Sequence, residues 1–144
     1  MSIFDSAKMC TFSRISGVIL QDGQPVAGAL VVRETDYERK ARDQTHTDKN
    51  GRFELDAQFE QSVAKFLPQE FVVGQTILFT ANGKEYKIWS GVKRSPEENS
   101  ESRGKPLVVS CDLNSEKTII TVDNQPFITL CQWDVEPDVT DTGF

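Results

Sequence analysis

The clearest structural signal in this chain is the stretch Ser16-Gly-Val-Ile-Leu-Gln-Asp-Gly-Gln-Pro-Val-Ala-Gly-Ala-Leu-Val31, followed later by Thr47-Asp-Lys-Asn-Gly-Arg-Phe-Glu-Leu55. Asp22-Gly23 favours a tight turn between two apolar runs, and Pro25 fixes φ as the chain leaves that turn. Polar and apolar residues alternate over Arg52–Asp56, and Gly51 ahead of this run accepts a positive φ at little cost. The stretch therefore predicts short β-strands joined by turns.

The rest of the chain continues this pattern. Asn82-Gly83 separates two strand-like runs and is typical of a type I′ hairpin turn, whose central residues both need positive φ. Further strand-like runs cover residues 106–112, 117–122 and 126–133. Residues 58–67 are the one helical candidate, because apolar residues recur there at i, i+4, i+7 and i+8. We expect loops over the charge-dense residues 34–46 and over residues 94–105, which have no large apolar side chain and should form the most mobile internal segment.

Strand-like runs about ten residues apart predict an all-β fold, an Ig-like antiparallel sandwich of seven to eight strands with at most one short helix near 58–67. A chain of 144 residues has the length of one domain. We divide it into an N-terminal segment, residues 1–13, a single sandwich domain, residues 14–133, and an acidic C-terminal tail, residues 134–144.

The stretch quoted first resembles carboxypeptidase regulatory-like domains, which are small sandwiches grouped with transthyretin-like folds. Gly23, Pro25 and Gly28 match the family's first turn, and Asp48 and Gly51 match its later hairpin entry. The resemblance covers residues 16–55. It implies a structural, adhesive or interaction module and not a reaction. The related 5-hydroxyisourate hydrolases are excluded, since they use several histidines and a C-terminal Tyr-Arg-Gly-Ser, whereas this chain has one histidine and ends in Asp-Thr-Gly-Phe.

The charge is distributed unevenly along the chain. The formal net charge is -6, from 22 acidic and 16 basic residues. Residues 112–144 carry seven of the acidic residues and only one basic residue, Lys117, so the whole excess belongs to this last part. An acidic surface argues against binding to nucleic acid or to an anionic membrane, since both need clustered positive charge.

Neither the histidine nor the cysteines form a pattern typical of a catalytic or metal site. His46 stands alone in a polar stretch, and Asp48-Lys-Asn-Gly51 lacks the closing glutamate of a calcium loop, so a turn is expected there. Three cysteines without paired spacing predict reduced thiols, with Cys111 and Cys131 as small core residues. We therefore predict no catalytic residues, cofactor or metal, and we expect a cytoplasmic location because no export signal is evident.

The candidate partner-binding residues lie near the C-terminal end of the chain. Trp133 closes the last strand-like run and is either a lid on the core or an interface anchor. Asp134, Glu136, Asp138 and Asp141 follow it and form either a solvated terminus or a docking surface for a basic partner. We expect a non-enzymatic bacterial binding protein, of the immunity or antitoxin type, that neutralises a toxin such as a basic nuclease. The alternative is an adaptor in a secretion or surface assembly.

Overall fold

A computed structural model describes residues 8–61, 66–67 and 70–139, and most of them lie in β-strands. The strands are β1 (Lys8–Phe12), β2 (Ile15–Gln21), β3 (Gln24–Pro25), β4 (Leu30–Asp36), β5 (Lys40–His46), β6 (Arg52–Leu55), β7 (Gln58–Gln61), β8 (Val73–Ala81), β9 (Lys84–Lys93), β10 (Leu107–Asp112), β11 (Thr118–Val122), β12 (Gln125–Thr129) and β13 (Cys131–Trp133). A 3-10 helix, Ser100–Ser102, lies between β9 and β10.

Two large sheets enclose the core. The five-stranded sheet has the order β13-β10-β2-β3, with β6 also paired to β2. The six-stranded sheet has the order β11-β12-β9-β8-β4-β5, and β1 and β7 form a separate two-stranded ribbon. Fully buried side chains from both large sheets, such as Ile19, Phe79 and Trp89, belong to one apolar cluster. The predicted all-β sandwich is confirmed, although the described part has thirteen strands where seven to eight were expected.

Turn chemistry fixes several of the strand pairs. Asn82 and Gly83 have φ of 52° and 75°, as the predicted hairpin between β8 and β9 requires. Asp48 closes the turn before β6, because its Oδ1 accepts backbone N–H bonds from Asn50 at 2.8 Å and Arg52 at 2.9 Å. These bonds also hold the pKa of the Asp48 carboxyl below its usual range.

One strand pair is parallel, which the antiparallel prediction did not include. β2 runs parallel to β10, with Leu107 opposite Ile15 and Asp112 opposite Leu20. The two backbones approach closely at Gly17, where a Cβ would lie 2.2 Å from the carbonyl oxygen of Val109. This pairing places two distant parts of the sequence side by side in the middle of the five-stranded sheet.

Two local predictions are wrong, and a third, the solvated loop over residues 94–105, is correct as a loop but not in its solvation. Residues 58–61 of the expected helix form β7, because they pair with β1 in register from Gln61 opposite Lys8; residues 62–65 lie outside the described part. The charge-dense segment expected to be a loop contains β5, an edge strand, and charged side chains are common on edges because they discourage further pairing. The segment 94–105, expected to be solvated, contains two buried residues, Glu101 and Ser102.

The cysteines also differ from the prediction of reduced thiols. Cys111 and Cys131 form a disulfide, and they lie directly opposite each other on the antiparallel strands β10 and β13. Both residues are buried. Cys10 is a free, buried cysteine, and burial raises the pKa of its thiol. The disulfide therefore ties the last strand to the centre of the sheet.

Candidate functional site

Trp133, the first predicted contact residue, packs inward. Its ring centroid lies 5.0 Å from that of Trp89 and 6.1 Å from that of Phe127. The indole N–H donates a hydrogen bond of 3.1 Å to the carbonyl oxygen of Glu101. A half-buried ring with its N–H satisfied inside the fold fits the core lid, which was the first of the two readings of this residue.

The residues that follow form a segment, residues 134–138, that we call the strap. Asp138 anchors the strap, because its carboxylate accepts hydrogen bonds from the backbone N–H groups of Asp123 at 2.7 Å and Asn124 at 2.8 Å. Its own N–H donates to the carbonyl oxygen of Thr121 at 2.7 Å. The backbone bonds from Asn124 and Asp123, in that order of effect, hold the pKa of Asp138 below its usual range. Asp138 thus caps the turn between β11 and β12.

Arg103 fastens the strap from the other side. Its guanidinium bonds to Asp123 at 2.5 Å and to Asp138 at 2.7 Å, and its Nε donates to the carbonyl oxygen of Glu136 at 2.8 Å. Because one cation contacts the turn and two strap residues, the strap is held against the fold at several points. The first residues of the predicted tail are therefore part of the folded structure.

The predicted acidic residues accordingly have different surroundings. The Asp134 side chain is 95% exposed and lies 3.4 Å from the Lys105 ammonium, which is itself exposed. Glu136 is exposed and bonds through its backbone carbonyl, whereas Asp138 is used in the cap. Asp141 lies outside the described residues. The strap thus presents two exposed carboxylates, Asp134 and Glu136, on a backbone that is anchored at Glu136 and Asp138.

Beside the strap, the outer face of the five-stranded sheet contains a shallow depression of about 770 Å³, which we call the trough. Its lining residues come from β2, β6, β10 and β13 and the segments next to them: Arg14, Ser16, Gly17, Val18, Asn50, Arg52, Phe53, Glu54, Val108, Val109, Ser110 and Gln132. Val108 is 57% exposed. Gln132 immediately precedes Trp133, so the trough and the strap are neighbours along β13. No motif in the sequence predicts the trough, because the parallel pairing of β2 with β10 creates it.

The most unusual titratable groups lie inside the sandwich. Lys93 and Glu101 are both fully buried, with Nζ and Oε1 4.0 Å apart. The Glu101 carboxylate accepts bonds from the Ser13 N–H at 2.9 Å, the Ser13 hydroxyl at 2.6 Å and the Gln75 amide at 3.2 Å. Burial lowers the pKa of Lys93, and the Glu101 carboxylate partly opposes this.

The Lys93 ammonium donates to the carbonyl oxygens of Ser95 and Glu97 and to the Ser100 hydroxyl. We call the four residues Ser13, Gln75, Lys93 and Glu101 the buried polar cluster. Its hydrogen bonds close the loop after β9 over the core. The cluster therefore joins the segment 94–105 to β1, β8 and β9, and its polar groups bond to one another and to the backbone.

Other candidates considered in the sequence have ordinary positions. His46 is exposed at the end of β5. In the described residues, no three His, Cys, Asp or Glu side chains are grouped as they would be around a metal ion. The same residues contain no helix with the length and apolar character needed to cross a membrane.

Comparison with known families gives one match. A family model described as Domain of unknown function (DUF6795) matches residues 15–116, which is more than half of the chain. The matched range runs from the start of β2 to just beyond β10, so it includes the central strands of the trough, and the strap lies outside it. No curated protein matches the chain.

Proposed function

We propose that this chain, which belongs to the DUF6795 family, is a non-enzymatic module that binds another protein. The observation that carries the proposal is the strap, since Asp138 and Arg103 hold its backbone against the fold while the Asp134 and Glu136 side chains on it are exposed. Carboxylates on an anchored backbone attract a basic partner and orient its approach more effectively than charges on a frayed end.

The use of the buried charges supports a binding role. Glu101 accepts a hydrogen bond from the Ser13 hydroxyl, and Lys93 donates to the carbonyl oxygen of Glu97 and to the Ser100 hydroxyl. The buried Arg33 guanidinium forms two bonds to Asp43 and one to the carbonyl oxygen of Ser13. These groups stabilise the sandwich, and the resemblance to carboxypeptidase regulatory-like domains likewise favours an interaction module.

Within this class, we propose an immunity-type protein that neutralises a basic toxin. The disulfide bears on where it would act, because such bonds persist in oxidising compartments and are rare in the cytosol. For a bacterial protein, the buried Cys111–Cys131 pair favours the periplasm or the cell surface over the expected cytoplasmic location.

The test is co-expression with the protein encoded by the adjacent gene, followed by co-purification and a growth assay. Reversing Asp134 and Glu136 to lysine should slow association and reduce its sensitivity to salt, because the attraction acts mainly on the encounter rate. The matched control reverses Asp36 and Glu85, which are exposed acidic residues on the six-stranded sheet. No complex and no protection with the wild type would overturn the proposal. Equal effects of both double reversals would show that only net charge matters.

A second candidate, an adaptor in an assembly, is favoured by the edge strand β11. Ile119 is 70% exposed there, and its cross-strand neighbour Ile128 is 46% exposed. An edge strand with exposed apolar residues is available for strand addition. Defined homo-oligomers of the purified chain, abolished by Ile119→Lys, would favour the adaptor over the immunity-type protein.

A further inference from the structure

We infer that the trough receives a loop or extended segment of the partner that carries an apolar side chain between an acidic and a basic one. The inference rests on the proposed function, since it identifies the surface and the chemistry of the same partner. It assigns the centre of the contact to the outer face of the five-stranded sheet, with the strap at its rim.

The floor of the trough is built from small side chains. The strand register places Ser16 beside Val108 and Val18 beside Ser110, and Gln132 is the next residue across from Ser110. Long side chains lie only at the margins of the trough, so the middle of this sheet face is recessed relative to them. Val108, more than half exposed, is the apolar point at the centre, and burying such a side chain under a partner stabilises a complex.

The two margins differ in charge. On the β6 side, Arg14 pairs with Glu54, and Arg52 is exposed opposite Val18. Among the described residues, no carboxylate lies within ion-pair distance of Arg52, although, after the backbone hydrogen bonds, the Arg52 charge helps to lower the pKa of the Asp48 carboxyl. On the β13 side, Gln132 lines the trough and the exposed Asp134 follows two residues later. A segment crossing the trough is therefore complementary when it presents a carboxylate to Arg52 and a basic side chain that takes the place of Lys105 beside Asp134.

The size of the face favours a segment over a second copy of this chain. Four strands about 4.8 Å apart give a width of roughly 19 Å. The strands average about five residues, so at about 3.3 Å per residue the face covers roughly 300 Å². This is well below the ~800 Å² per partner of a standard interface. A second copy packed on this face would lack most of the area that a stable dimer needs. A loop fills it, and the strap supplies further contact beside it.

The test compares Val108→Asp with Ile119→Asp, using the co-expressed product of the adjacent gene as the binding partner. Both are exposed β-branched residues on outer faces, but they lie on opposite sheets. Val108→Asp should weaken the dissociation constant at least tenfold, whereas Ile119→Asp should change it less than twofold. Ser110→Arg, which fills the trough from an exposed position, should weaken binding similarly, and the melting temperature of each variant checks folding.

The outcomes separate the two proposals. If Val108→Asp and Ser110→Arg both leave the affinity unchanged while Ile119→Asp weakens it, the partner binds at the β11 edge and the trough assignment is wrong. The same holds if all three variants bind like the wild type. If the wild type does not bind the adjacent-gene product at all, the proposed function itself fails.

Discussion

Replacing Glu101 with alanine should lower the free energy of unfolding by about 3–5 kcal/mol, the usual result of removing one member of a buried ion pair. The carboxylate is fully buried, accepts three hydrogen bonds and lies 4.0 Å from the Lys93 ammonium. Its removal leaves the donors of Ser13 and Gln75 with fewer acceptors and the ammonium without its counter-charge. For a chain of 144 residues, roughly 3 °C of Tm per kcal/mol gives a fall of about 9–15 °C.

Glu98→Ala is the matched control, because Glu98 is an exposed glutamate on the same loop. It should change the free energy of unfolding by less than about 0.5 kcal/mol. Thermal unfolding by circular dichroism and urea titration at pH 7 measure both variants. Glu101→Leu should also destabilise the protein, because it leaves the Lys93 ammonium buried without a counter-charge. The double variant Lys93→Met with Glu101→Leu should be more stable than Glu101→Leu alone, because that ammonium is then absent. Equal, small losses for Glu101→Ala and Glu98→Ala would refute the assignment of the buried polar cluster as a main support of the loop.

Three further perturbations test other parts of the structure. Gly91→Ala should lower the free energy of unfolding by about 1–3 kcal/mol, since its Cβ would lie 2.3 Å from the Phe127 ring. In Gly74→Ala the new Cβ meets nothing closer than 3.6 Å, so Tm should change little. A loss for Gly91→Ala no larger than that for Gly74→Ala would contradict the packing. The double variant Cys111→Ala with Cys131→Ala should lose about 3 kcal/mol in free energy of unfolding. Wild-type protein denatured without a reductant should contain one thiol that reacts with a thiol reagent, and three reactive thiols would contradict the disulfide. Asp138→Asn tests the cap: because folding lowers the pKa of Asp138, its stabilisation is present above the unfolded value near 4 and is lost as pH falls through the folded value. The Tm difference between wild type and Asp138→Asn should therefore shrink between pH 5 and pH 2, and a constant difference would exclude this role.

The sequence predicted those strands for which the turn residues and the polar–apolar alternation indicate the same boundaries. Asn82-Gly83 specified a hairpin that needs no distant partner, so neighbouring residues were sufficient. The helical spacing at 58–67 was misleading because residues 58–61 pair with β1, about fifty positions away, and tertiary pairing outweighs a weak local preference. The charges of β5 suggested a loop because an exposed edge and a solvated loop favour the same residue types.

The site was only partly predictable for a related reason. Charge counting located the strap, since the acidic excess is a property of composition along the chain. It did not separate Asp138, which caps a turn, from Asp134, which faces solvent, because that difference depends on where the turn at Asp123 lies. The trough was not predictable, because it needs the parallel pairing of β2 with β10.

The most direct test of the account is site-specific photo-crosslinking of the complex with the adjacent-gene product. A benzophenone amino acid at position 132, where an exposed glutamine lines the margin of the trough, should form a cross-link to that protein. The same group at position 128, an exposed site on the six-stranded sheet, should form none. A cross-link from position 128 and not from position 132 would contradict the account, and so would the absence of any cross-link from either position.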